Sequence, residues 1–263
     1  MLKRELQINL KSFLIWLFVL LAIFLVVFAV YPSLISSDGF EKIDEFMKMF
    51  PDDVLAAFNM DITSISTAYG WLKSEGMTFI LLISGCYAGL LGSQIILKEE
   101  NDKTIEYLYS LPVTRNQIIR AKVITGMIYI TLLVIGSALF NYIALILQQK
   151  INLGQYLILS LTPLLTSYIF YFVCLMISTF THKTRKVTGL ALALVVIAYF
   201  LQIVSTISNQ VEFLKYFSVF TLADTRNIII QNSIDPVNII LTAFICIICF
   251  VITLWHYNIK ELI

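Results

Sequence analysis

The sequence predicts an all-α polytopic membrane protein of six transmembrane helices, and three observations predict it. Hydrophobic residues make up 59% of the 263-residue chain and charged residues 13%, about half the ~25% charge of a soluble domain. The apolar residues gather into six runs, 13–31, 76–97, 123–147, 157–180, 187–207 and 237–255, each of the length, roughly 17–25 residues, that crosses a bilayer as a helix. No Asp, Glu, Lys, Arg or His interrupts any of them. The same apolar content excludes disorder, and a net charge of +1 makes nucleic acid no partner of this chain.

Before the first run, Leu2, Leu6, Leu10 and Phe13 recur at three and four with Lys3, Arg4 and Lys11 between them. That pattern fits an interfacial helix over 1–12 lying on the cytoplasmic surface, or a plain continuation of the first span with snorkelling lysines. The first span, 13–31, leads into an acidic connection at 32–75 that is too long for a plain loop, and its apolar residues predict an extracellular helical cap. In the second span, 76–97, Gly85, Gly89 and Gly92 form a small-residue stripe that lets backbones approach closely. After a cytoplasmic stretch at 98–122 come the third span, 123–147, and the fourth, 157–180, which Pro163 is expected to kink. Gly189 and Ala193 make a second small stripe in the fifth span, 187–207. The segment 208–236 is apolar but broken by charges, as a re-entrant stretch of short helices would be. The sixth span, 237–255, and a tail at 256–263 complete the chain.

Basic residues orient the bundle. Twelve Lys and Arg flank the ends of the spans on one side and six lie on the other, so by the positive-inside rule both termini are cytoplasmic and the protein sits in the cell membrane. Cys86, Cys174, Cys246 and Cys249 all lie within spans, where they read as packing residues and not as a disulfide framework or metal site. The polar and aromatic groups at depth that are candidates to line a path are Tyr129, Asn141, Thr166, Tyr168, Tyr171 and Gln202. For Asn141 and Gln202 the competing reading is hydrogen bonding between helices.

The stretch 98–122 is the most informative. Asp102 is placed to cap a short helix whose Ile105, Leu108, Tyr109 and Leu111 share one apolar face, with Glu106 turned away. Pro112 ends that helix, because the residue before a proline is pushed out of the α region. Thr114 and Gln117 then have the spacing of a capping box that opens a helix running through Lys122 into the third span. A short amphipathic helix tied to two spans suits a push received from a cytoplasmic partner; it equally suits resting on lipid headgroups.

Here the chain resembles the membrane permeases of type-2 ABC exporters, the ABC-2 family. The resemblance is carried by Glu99 and Glu100, then Thr104-Ile105-Glu106, then Ser110-Leu111-Pro112-Val113-Thr114-Arg115, then Lys122, with weaker likeness at 178–189, at 216–220 and in the tail. Lys103 stands where glycine is usual and Val219 where proline is common. The resemblance implies that the helix from about Asp102 to Leu111 is a coupling helix docking in an ATPase subunit, with Glu99, Glu100, Asp102, Thr104, Ile105, Glu106, Leu108, Leu111 and Pro112 at the contact. It also implies two ATPase subunits per transporter and a second permease subunit, the same chain or a relative.

The chain has no Gly-x-x-x-x-Gly-Lys-Ser/Thr loop, so it is not expected to be an enzyme or to hold a cofactor; ATP and Mg belong to the partner. The expected function is the permease subunit of an ATP-driven exporter of an amphipathic or lipophilic substrate: a peptide, drug or lipid. An ATP-driven sodium exporter is the first alternative. An ion-coupled secondary transporter is the second, disfavoured because such carriers keep ionisable residues at depth.

Overall fold

The computed structural model describes residues 1–34, 45–51, 55, 67–102, 113–148, 151–181, 183–207, 209–223 and 233–259. Among them there is no strand, and six helices are long and apolar enough to cross a membrane. In chain order the helices are α1 (Leu2–Leu34), α2 (Ala68–Ile95), α3 (Lys98–Asn101), α4 (Arg115–Ile146), α5 (Leu153–Leu161), α6 (Pro163–Thr179), α7 (Thr184–Ile207) and α8 (Pro236–Ile259). One end of the bundle, here the base, carries the start of α1, the end of α2, α3, the start of α4 and the end of α8. The opposite end is called distal.

At the N-terminus the structure takes the second of the two readings, a continuation of the first span. Residues 1–12 do not form a separate interfacial helix; they are the first turns of one unbroken 33-residue helix. Its inward face is a different stripe from the leucines that mark the apolar pattern in the sequence. Leu2 and Leu10 are exposed, while Glu5, Asn9, Phe13, Leu20, Phe24, Phe28 and Tyr31 are buried, a stripe at near-helical spacing whose first two members are polar.

α2 begins at Ala68, eight residues before the expected start of the second span, and takes in Lys73 and Glu75 from what the sequence assigns to the cap. The helix is thus longer than the uncharged run 76–97. The added turns contain a π-helical stretch, Leu72–Gly76, which turns Leu72, Ser74, Gly76 and Met77 toward the interior. The small residues further along α2 are used inside the subunit: Gly85 lies against Phe170 of α6, and Gly89 against Cys174 of α6 and Ala191 of α7. At Gly92 a Cβ would meet the carbonyl oxygen of Tyr171 and the backbone nitrogen of Leu175, so here the backbones of α2 and α6 touch and only glycine fits. Gly189 has open space around it.

The fourth span is broken where Pro163 predicts a kink. α5 ends at Leu161, Thr162 turns, and Pro163 opens α6. Pro163 has no N–H to donate, and the turn is held instead by Thr162, whose backbone N–H donates to Leu159 and whose hydroxyl donates to the Ile158 carbonyl (3.0 Å).

The expected re-entrant segment is described over 209–223 as two 3-10 helices, Asn209–Phe217 and Val219–Ala223, and it folds back along α7 and α6. The Ser218 hydroxyl donates to the carbonyl of Ala198, nine residues inside the end of α7 (2.7 Å), and fully buried Phe220 packs on Phe170 and Tyr199. Of the expected cap, 35–44, 52–54 and 56–66 lie outside the described residues. α2 and the fourth span form the centre, and α1, α7 and α8 the flanks, with outward faces that include Phe18, Leu25, Phe200 and Phe244.

Candidate functional site

At the base, a lysine and two carboxylates meet in a dry interior. Lys122, on the second turn of α4, is 1% exposed, Glu5 of α1 is 1% exposed and Glu99 of α3 is 5% exposed. The Lys122 ammonium donates to both oxygens of Glu99 (2.6 and 2.7 Å), to Glu5 Oε2 (3.2 Å) and to the carbonyl of Ile95 (2.7 Å), the last residue of α2. One side chain thus fastens α1, α2, α3 and α4. An ion pair this deep is held only where geometry is good and the remaining protons find acceptors, and the Ile95 carbonyl supplies that for the ammonium.

Around the cluster each neighbouring helix adds a polar tie. Lys98 donates to the carbonyl of Ile8 (3.4 Å), and Tyr129, stacked on Phe13, donates to that of Leu6. Tyr171 of α6, fully buried, donates to the Lys122 carbonyl (3.1 Å), and its ring fills the space left by Gly126, where a Cβ would overlap it. Asn101, ending α3, bonds to Thr184 at the start of α7. Arg115 donates to the carbonyls of Tyr257 (3.3 Å) and Asn258 (3.1 Å) at the end of α8, and Asn258 donates to Asn116 (2.9 Å).

These ties bracket the stretch singled out from sequence. Thr104, Ile105, Glu106, Leu108, Leu111 and Pro112 fall outside the described residues. Glu99 is buried in the cluster, Glu100 is half-buried, and Asp102 is exposed. Asp102 is the last residue of the α3 turn, its backbone N–H bonded to Lys98; a helix for it to cap would begin outside the described residues. On the far side the capping box is present: the Thr114 hydroxyl accepts from the Gln117 N–H, and the Gln117 side chain accepts from the Thr114 N–H.

The candidate path residues are not gathered in one place. Tyr129 and Tyr171 are at the base, their hydroxyls bonded to backbone carbonyls. Thr166 is fully buried and donates to the Pro163 carbonyl (3.2 Å); Tyr168 is half-buried and shares a hydrogen bond with Thr131 (2.6 Å). Gln202 is half-buried on α7, and Asn141 is buried toward the distal end of α4. Sequence reasoning missed Glu5. Its signal was there: an acid four residues before Asn9, both in register with Phe13 and Leu20.

In the cluster the ammonium is engaged by two carboxylates and a carbonyl while Glu5 Oε1 has no partner, and the arrangement ties four helices together as a clamp. Over residues 1–262 the chain matches the family described as ABC-2 family transporter protein, and it belongs to that family. It is a multi-pass membrane protein, the permease component of an ABC transporter, a family that works with an ABC ATPase partner. No curated protein and no solved structure matches it.

Proposed function

We propose that the chain is the permease subunit of an ATP-driven exporter, working as a pair of permease chains with two ATPase subunits, and that it moves an amphipathic or lipophilic substrate outward. In this reading the base is the cytoplasmic face of the cell membrane, both termini are cytoplasmic, and ATP and Mg are held by the partner. The segment between Asp102 and Val113 docks on that partner through Ile105, Leu108 and Leu111. The observation that supports it most is the Lys122 cluster. Together with the Asn101 tie to Thr184 and the Arg115 ties to Tyr257 and Asn258, it makes the two chain ends of that segment part of one cross-linked body that includes the starts of α1, α4 and α7 and the end of α8, so a displacement applied there enters several spans together. The substrate class is supported by what the spans offer: apolar walls with hydroxyls and amides, and, among the described residues, no group of carboxylates to hold a bare cation.

The test is proteoliposomes carrying the chain and its ATPase. Amphipathic peptides or hydrophobic drugs raise ATP hydrolysis, exchange of sodium for potassium does not, and the double variant Ile105→Asp, Leu108→Asp inserts normally but loses the ATPase, because an unpaired carboxylate is costly in a docking groove. Normal co-purification of that variant would place the contact elsewhere. Strict sodium stimulation without response to amphipaths would turn the reading to a sodium exporter.

A further inference from the structure

Among the buried polar groups without a partner toward the distal end, which include the Tyr69 hydroxyl and Glu75 Oε1, Asn141 is the one with both its donor and its acceptor unmet. Asn141 is 1% exposed, and neither its amide nitrogen nor its amide oxygen has a hydrogen-bond partner. It lines a cavity of about 10 Å³ with Ser137, Tyr156, Leu159, Ser160 and Met77, where α4, α5 and α2 meet. The neighbouring hydroxyls have committed their protons: Ser137 donates to the Val134 carbonyl (2.9 Å), Ser160 to that of Leu157 (3.2 Å) and Tyr156 to that of Ala138. Each hydroxyl oxygen therefore keeps lone pairs with which to accept. The cavity also lies against the broken turn of the fourth span, since Leu159 and Ser160 are four and three residues before Pro163.

A cavity lined only by hydrocarbon stays dry, but one with polar walls and the volume of a single water molecule is filled by one that bonds to otherwise unsatisfied groups. We infer that this cavity is a binding site for one water molecule, held by the Asn141 amide and the hydroxyls of Ser137 and Ser160 against the proline-broken turn. The water accepts from the Asn141 amide nitrogen and donates to the amide oxygen or to a serine oxygen, so it adds a second tie between α4 and α5 beside the direct bond from Tyr156 to the Ala138 carbonyl. Asn141 is on this account a water ligand at a helix seam. The inference does not depend on the transport reading.

Pulsed X-ray radiolysis of the full chain in detergent, read by mass spectrometry, tests it, because radicals born from a bound water oxidise the side chains beside it. Tyr156 and Tyr171 are a matched pair, 2% and 0% exposed. Tyr156 is expected to be oxidised several-fold faster than Tyr171 in the native chain, and in Asn141→Leu the excess is expected to vanish. Equal rates in the native chain would overturn the inference, and that comparison stands even if the variant fails to fold. Persistence of the excess in a folded Asn141→Leu would overturn the role of Asn141.

Discussion

The two ends of the bundle are built from different interactions. At the base, charged and hydrogen-bonding side chains cross between helices: Lys122 to Glu5 and Glu99, Asn101 to Thr184, Arg115 to the end of α8. The distal half is joined chiefly by rings, with Phe24 and Phe28 on Trp71, Tyr142 on Tyr156, and Phe220 between Phe170 and Tyr199. Hydrogen bonds and ion pairs in a dry interior are directional and strong, whereas apolar burial has no preferred direction. The base therefore resists relative motion of its helices, and the distal half can repack at smaller cost.

Removing the ammonium is the most severe way to break that contrast. Lys122→Met leaves Glu5 and Glu99 buried without a cation and is expected to cost about 3–5 kcal/mol, read from unfolding in detergent. The triple variant Glu5→Gln, Glu99→Gln, Lys122→Met should recover most of the loss; a triple variant as unstable as the single one would mean that helix packing, and not charge pairing, holds the base. A smaller effect is expected one turn further along α4. Gly126→Ala drives a Cβ into the Tyr171 ring and should cost roughly 1–3 kcal/mol as overpacking, and in a double-mutant cycle with Tyr171→Leu the two losses should be less than additive. Smallest is the distal test: Ser218→Ala removes the hydrogen bond to Ala198 and should cost about 0.5–1.5 kcal/mol. Its effect should appear as faster hydrogen exchange over 209–223, with exchange at the base unchanged.

The spans were legible because a bilayer demands a length of apolar sequence, and that demand is local. The capping box at Thr114 and the break at Pro163 were legible for the same reason, each being settled within four residues. The ion cluster was not, because Glu5, Glu99 and Lys122 are far apart in the chain and each looks locally like a surface charge beside other charges. Glu5 was hidden further by Leu2, Leu6 and Leu10, whose spacing marks an apolar face, although in the fold Leu2 and Leu10 are exposed and only Leu6 packs on the core. The early start of α2 was hidden by Lys73 and Glu75, which end the apolar run, although a helix can carry them where Lys73 lies over the Tyr69 ring (4.3 Å).

The length of α1 sets where the buried charges lie relative to lipid. Thirty-three residues rise ~50 Å, against a hydrocarbon layer of ~30 Å, or ~40–45 Å with headgroups. A hydrocarbon layer filled by the stretch from Phe13 to Leu34, a rise of ~32 Å, would leave Glu5 ~12 Å beyond it. The water around the Lys122 ammonium is thus displaced by protein and not by acyl chains. Because mobile ions cannot enter the buried cluster, its pairing is screened little by added salt.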